Sequence, residues 1–339
     1  MILSRSRQNE YFIAMPEPLT IWCNTKFSDE IMARLKAAAA PHRLVTASAQ
    51  QVSNLVGADR DPALAEADIA LGQPNPDQVL EIPRIKWVHL TTAGYTRYDT
   101  DRFKTGLRSR GGALTNSSGV YDEPCAEHIL AMMMSQARHL PEALRDQDGP
   151  RAWPYLPIRA RSQLLLGQTA ILYGYGAIAR RLVELLTPFR MNLIGVRRNP
   201  RGDEGIRIVR ESDADAVLPT ADHVINILPA SAQTEHFFDA KRLARFKPSA
   251  IYYSVGRGST TDQNALREAL ERRQFAAAFL DVTTPEPLPP RDPLWNAPSC
   301  FITPHTAGGH TTEFDRLADH FLENLKRFDR GEPLVDRVV

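Results

Sequence analysis

Cysteine is scarce in this chain of 339 residues. Cys23, Cys125 and Cys300 are odd in number and far apart. That excludes a disulfide-stapled secreted scaffold and a zinc site, so no metal is expected and a reducing cytoplasm is the plain reading. Long apolar runs are missing too; none approaches the roughly 20 residues of a membrane span. No charge sign dominates: 41 Lys plus Arg stand against 40 Asp plus Glu, a formal net charge of +1. The balance gives no electrostatic case for nucleic acid or a membrane as partner. There is no internal repeat and no low-complexity tract. The opening MILSRSRQNEYFIAMPEP lacks the continuous apolar core of a secretory signal, and residues 1–16 read as a loose extension. The length suffices for two domains with full cores.

What is present centres on residues 168–198. An apolar run, Thr169 to Tyr173, reads as a buried strand, and Gly174 and Gly176 follow at once. Ala177 to Leu186 repeats apolar residues at helical spacing, and Met191 to Val196 reads as a second strand. Strand, glycine turn, helix, strand is the first half of a dinucleotide-binding fold. The first glycine permits the tight turn. The second lets backbone approach a pyrophosphate, which the N–H groups and dipole of the helix start then hold. Gly174, Tyr175, Gly176, Ala177 and Ile178 are therefore expected to bind cofactor, with Ala179 in place of the usual third glycine. The end of the second strand commonly carries an acid for the adenosine ribose. Here it carries Arg197 and Arg198, with Arg201 nearby. Guanidinium groups pair bidentately with phosphate, so NADP(H) is expected over NAD(H).

Short strands alternate with helices on both sides of this unit, which predicts two doubly wound α/β domains with parallel sheets. Strands are expected at 19–25, 43–47, 67–71, 86–91 and 113–117, then at 206–209, 222–228, 250–255, 275–282 and 300–303. Helices are expected at 29–40, 123–139, 240–246, 262–273 and 311–330, with Ser28 and Thr261 as caps. The segment 141–157 holds four prolines and reads as an extended surface arm. Ligands in such sheets sit beyond the carboxyl ends of the strands. Leu228-Pro229 and Val255-Gly256 end two strands and are candidate cofactor contacts. Ala93 and Gly94, in a small-residue turn after another, are candidate anion contacts.

Three ionisable residues also stand at strand ends or just past them: Arg257, Glu286 and His305. Singly, each has an ordinary reading as a turn charge, a loop acid and a hydrogen-bonded histidine. Together with their flanking sequences they carry a resemblance. GYGAIA at 174–179, AIYYSVGRG at 250–258, FLDVTTPEPLP at 279–289 and FITPHTAGG at 301–309 resemble the motifs of the D-isomer-specific 2-hydroxyacid dehydrogenase family. TTAGYTRYD at 91–99 and TNSSGVYDEPCAEH at 115–128 follow the same order.

The resemblance implies a Rossmann cofactor domain inserted in a flavodoxin-like substrate domain, 118–306 within 1–117 and 307–339, with the site in the cleft between them. It implies His305 as general acid and base, Glu286 as its partner, and Arg257 as the group that holds the substrate carboxylate. Ala93 and Gly94 would grip the same carboxylate through backbone, and Asp281 would lie near the nicotinamide or its ribose. The family departures are Ala179, Arg197, Ser254 before the arginine motif, and Thr283-Thr284 in the loop before Glu286. The implied activity is hydride transfer between NADP(H) and a small 2-keto or 2-hydroxy acid of the glyoxylate or hydroxypyruvate type. An NAD-dependent D-2-hydroxyacid or D-glycerate-type dehydrogenase is the alternative, and a non-enzymatic dinucleotide sensor is the alternative of another class. A homodimer is implied, with 141–157 as the candidate contact.

Overall fold

The computed structural model describes residues 17–51, 57 and 59–339; the expected extension at 1–16 lies outside the described residues. The chain forms two compact units. One runs to Thr91 and takes in Asp101–Asn116 and Phe314–Val339, and the other comprises Thr92–Thr100 and Ser117–Glu313.

The first unit is built on five parallel strands: β1 (Thr20–Thr25), β2 (Arg43–Gln51), β3 (Ile69–Leu71), β4 (Trp87–His89) and β5 (Ala113–Thr115). Their order, β2-β1-β3-β4-β5, is the flavodoxin-like one. The central strands are buried throughout, as an all-parallel sheet covered on both faces requires. The helix Glu313–Asp329 closes this unit: its Phe321 stacks on Trp87 at 5.3 Å, and the Trp87 indole N–H donates to Thr115 Oγ1.

The second unit carries seven parallel strands: β6 (Thr169–Tyr173), β7 (Asn192–Arg197), β8 (Arg207–Arg210), β9 (His223–Asn226), β10 (Ile251–Ser254), β11 (Ala277–Leu280) and β12 (Cys300–Ile302). The order β12-β11-β10-β9-β6-β7-β8 is the Rossmann order extended by one strand, with the switch point between β6 and β9. Register then positions the site. Tyr173 pairs Asn226, Asn226 pairs Ser254, Ser254 pairs Leu280, and Leu280 pairs Ile302. The next residues, Gly174, Ile227, Val255, Asp281 and Thr303, therefore leave the sheet along one carboxyl edge.

Several local expectations are corrected. The helix expected from Glu123 begins at Ser118 and runs to Ala137, with Pro124 inside it. The expected extended arm is two helices, Leu140–Asp148 and Tyr155–Arg161. Its prolines fall where a helix tolerates them. Pro141 and Pro157 lie in first turns, whose N–H groups have no helical partner, and Pro154 precedes the second helix. The cap of the helix Gln263–Glu271 is Asp262, not Thr261: the Asp262 carboxylate accepts the Ala265 N–H at 3.0 Å. Among the described residues no helix is long and apolar enough to cross a membrane.

Candidate active site

The phosphate-type turn forms as its residues require. Gly174 has φ +94°, and a Cβ there would sit 3.0 Å from the Ile227 carbonyl oxygen across the switch point. Gly176 starts the helix Ala177–Leu186 with no side-chain cap, and a Cβ there would meet nothing within 4 Å. Open space over uncapped first-turn N–H groups, at Ala177 and Ile178, suits a pyrophosphate. Ala179 is fully buried, which suits the close helix–sheet packing asked of the third glycine. The Tyr175 ring does not face outward. It lies over Gly195 of β7, where a Cβ would come within 2.7 Å of it, and its hydroxyl donates to the Glu204 carbonyl at 2.9 Å.

At the end of β7, Arg197 is partly buried and Arg198 exposed. Arg197 Nη1 donates to Glu204 Oε1 at 3.0 Å, and Arg198 Nε lies 3.7 Å from Glu211 Oε2. Glu204 gave no signal in the sequence, because nothing local ties an acid in a surface loop to the strand end before it.

Beyond β9 and β10 the chain packs backbone on backbone. A Cβ at Gly256 would overlap the Leu228 carbonyl oxygen, so this glycine serves close approach. Asn226, fully buried, ties the two strands together. Its amide donates to Tyr252 Oη and Thr260 Oγ1, and its oxygen accepts the Leu228 N–H.

A cavity of about 130 Å³ unites two sets of sequence-predicted residues. Ala93, Gly94 and Arg257 line it, and so do Ile178, Leu228, Pro229, Val255 and Gly256. Tyr95, Thr96 and Asp99 add a wall that the sequence reading did not assign. The Arg257 guanidinium crosses directly over Gly94: a Cβ at 94 would overlap its Nη2. Arg257 Nη1 also donates to the Gly256 carbonyl at 2.7 Å. Burial is the largest influence on Arg257 and lowers its pKa, and the nearby Glu286 carboxylate opposes it. A guanidinium starts so far above neutrality that it remains charged.

Glu286 and His305 lie outside the lining of that cavity, and the Glu286 carboxylate is close enough to Arg257 to influence it. His305 Nδ1 lies 2.8 Å from Glu286 Oε2, and Glu286 Oε1 accepts the Thr283 N–H at 3.0 Å. Burial pushes the Glu286 carboxyl up. The bonds from His305 and Thr283 and the charge of Arg257 outweigh it, so Glu286 sits below the usual glutamate value. It is an anion at neutral pH.

His305 itself has φ +53°, in the left-handed region that non-glycine residues visit uncommonly. Asp281 ties down the chain on both sides of it. Its buried carboxylate accepts from Thr303 Oγ1 (2.6 Å), the Thr306 N–H (2.8 Å) and the Ala307 N–H (3.0 Å), and its carbonyl accepts the His305 N–H (2.9 Å). His128, a residue with no role in the sequence reading, places Nε2 3.2 Å from Thr303 Oγ1. Burial lowers the His128 pKa. Cys125 is buried nearby with its thiol pushed up to about 12, so it is no nucleophile.

The Rossmann sheet with its phosphate-type turn is a dinucleotide-binding architecture, and Arg257, the Glu286–His305 pair and the cavity of about 130 Å³ lie at its carboxyl edge. The profile described as D-isomer specific 2-hydroxyacid dehydrogenase, NAD binding domain, matches residues 130–307. A glyoxylate/hydroxypyruvate reductase B of Pectobacterium atrosepticum is 30% identical over 76% of this chain and 81% of its own. The crystal structure of a D-isomer specific 2-hydroxyacid dehydrogenase family protein from Aeromonas salmonicida is 29% identical. It superposes with a TM-score of 0.76, covering 95% of this chain and 99% of that one. An NADPH-dependent glyoxylate/hydroxypyruvate reductase of Sinorhizobium meliloti, solved with NADP and malonate, shares the fold at 23% identity (TM-score 0.72, covering 96% and 97%). The chain belongs to the D-isomer specific 2-hydroxyacid dehydrogenase family and is by class an NAD(P)-dependent oxidoreductase.

Proposed function

We propose that this protein reduces a small 2-keto acid of the glyoxylate or hydroxypyruvate type with NADPH. The observation that carries the reading is the His305–Glu286 pair at 2.8 Å, with Arg257 near enough to feel the Glu286 charge. Bound NADPH supplies the hydride that reduces the keto carbon. Arg257 holds the substrate carboxylate through its fork of N–H donors and polarises the carbonyl, assisted by backbone at Ala93 and Gly94. Glu286 occupies His305 Nδ1, which leaves Nε2 as the atom that gives its proton to the carbonyl oxygen. The Glu286 anion stabilises the protonated ring before transfer and orients it. In the reverse direction Nε2 takes the hydroxyl proton.

The size of the cavity supports a small acid. Its volume of about 130 Å³ is well under the roughly 300–1,000 Å³ of pockets for drug-sized ligands. Arginine rather than an acid at position 197, and the name of the Pectobacterium relative, support the cofactor and substrate choices. The first unit is assigned as the substrate domain and the second as the cofactor domain, with 92–100 kept beside Arg257. The three free thiols fit a cytoplasmic location. Leu140, Leu144, Trp153 and Leu156 expose apolar side chains on the two-helix arm, Trp153 to 84%, which supports a homodimer formed through it.

A panel of 2-keto acids assayed with NADPH and with NADH tests the reading. Turnover on two- and three-carbon acids with NADPH is expected. Tight NADPH binding with negligible turnover on every acid would assign the chain to a sensor instead.

A further inference from the structure

The end of β7 and the loop after it share a partly buried ion pair that the reaction itself does not use. The Glu204 side chain is 4% exposed and that of Arg197 21%. Glu204 Oε1 accepts from Arg197 Nη1 (3.0 Å) and from the Arg201 N–H (2.7 Å), and Oε2 accepts the Gly202 N–H (2.8 Å). The main chain of the same residue is tied to the phosphate-type turn, through the Tyr175 hydroxyl on its carbonyl oxygen. The Arg201 N–H most of all, then that of Gly202, holds the carboxyl below its usual range, so Glu204 is an anion.

An acid near the end of the second Rossmann strand is the usual acceptor for the ribose hydroxyls of NAD(H). Glu204 is badly placed for that work. It is covered, and both its oxygens are committed to its own loop and to Arg197. A guanidinium has five N–H donors, and the pair with Glu204 takes one of them at Nη1. The donors on Nε and Nη2 stay available to grip two oxygens of one phosphate.

We propose that Glu204 is a positioning residue for cofactor discrimination: it fixes Arg197 and the Arg201–Gly202 turn as one preformed cationic rim for a 2′-phosphate. The inference rests on the NADP(H) reading above. A long arginine side chain that must be ordered on binding costs affinity, and one already ordered by a carboxylate does not. Glu204 therefore strengthens the binding of an anion although it is itself negative.

The test is calorimetric titration with NADPH, NADH and 2′,5′-ADP, the last carrying the 2′-phosphate without the nicotinamide. Glu204→Ala is expected to weaken NADPH and 2′,5′-ADP on the order of tenfold and to move NADH by less than about twofold. Glu204→Gln keeps an acceptor oxygen and falls between; it carries the comparison should the alanine variant fail to fold. Glu204→Ala added to Arg197→Ala should cost nothing further, because the two act as one unit. Tighter NADPH binding by Glu204→Ala would mean that the acid only opposes the phosphate. An equal loss for NADH would mean a structural or ribose-binding role. Either overturns the proposal. If Arg197→Ala alone weakens both cofactors equally, the NADP(H) reading itself fails, and the proposal with it.

Discussion

The guanidinium of Arg257 occupies the space that any side chain at position 94 would need. A Cβ on Gly94 would overlap Arg257 Nη2, and the two residues line one cavity. The glycine is thus required by the cation, whatever its own backbone offers to a substrate. Gly94→Ala should displace the guanidinium while leaving the nucleotide turn untouched. A misplacement on the scale of 1 Å costs about 10²-fold in rate, so kcat/KM for the keto acid should fall by about that factor. The Kd for NADPH, read by fluorescence titration, should stay put; a parallel loss of cofactor affinity would show that the substitution disturbs the whole edge of the sheet.

His305 and Glu286 separate by their pH behaviour. His305→Gln removes the proposed proton donor and should lower kcat by about 10²–10⁴-fold. Glu286→Gln keeps the hydrogen bond to Nδ1 and removes the charge that stabilises the protonated ring. The acid limb of the rate profile, set by protonation of Glu286 below its usual range, should be lost in this variant. Glu286 is depressed below the usual glutamate value, so it stays ionised from neutrality into acid and the pair breaks only as pH falls through the lowered pKa. An unchanged profile in Glu286→Gln would remove the carboxylate from the proton transfer.

Arg197→Asp reverses the charge at the end of β7 and places a second acid beside Glu204. Losing a charged hydrogen bond costs roughly 1.5–3 kcal/mol, so NADPH affinity should drop by roughly 10- to 100-fold, with NADH far less affected. Equal shifts of the two dissociation constants would contradict the 2′-phosphate reading.

His223 predicts how stability responds to acid. It is buried, with Nε2 2.6 Å from Gln168 Oε1 and Nδ1 3.1 Å from Tyr253 Oη, a set satisfied by the neutral ring. Burial pushes its pKa down to about 4; Asp222 opposes this and Lys247 adds to it. The unfolded chain, with an ordinary value near 6.5, binds the proton first. Stability contributed by this site is therefore intact above pH 6.5 and lost as pH falls towards 4. Each tenfold difference in proton affinity between the folded and unfolded chains is worth about 1.4 kcal/mol, so the loss amounts to a few kcal/mol. Urea unfolding at pH 7.5 and 4.5 should show a smaller acid penalty for His223→Gln than for the natural sequence; identical penalties would discount the site.

Much of this molecule could be read without coordinates. Thr169–Tyr173, the glycine turn and the helix Ala177–Leu186 stand as the pattern expects, because residue spacing and glycine conformation act within one turn or one strand. Both sheets follow from the alternation of strands and helices. The two-helix arm was misread because proline counts as a breaker only by position. Pro141 and Pro157 sit in first turns, where their missing N–H costs nothing.

By itself, then, the sequence determined which segments form strands and helices and which residues stand at the strand ends, since periodicity and strand length are local properties. Only the tertiary structure decided that Arg257 passes over Gly94, that Glu204 holds Arg197, and that Asp281 clamps the chain around His305. Those contacts depend on the parallel register of strands far apart in the chain and on the paths of the loops that follow them, which no local spacing encodes.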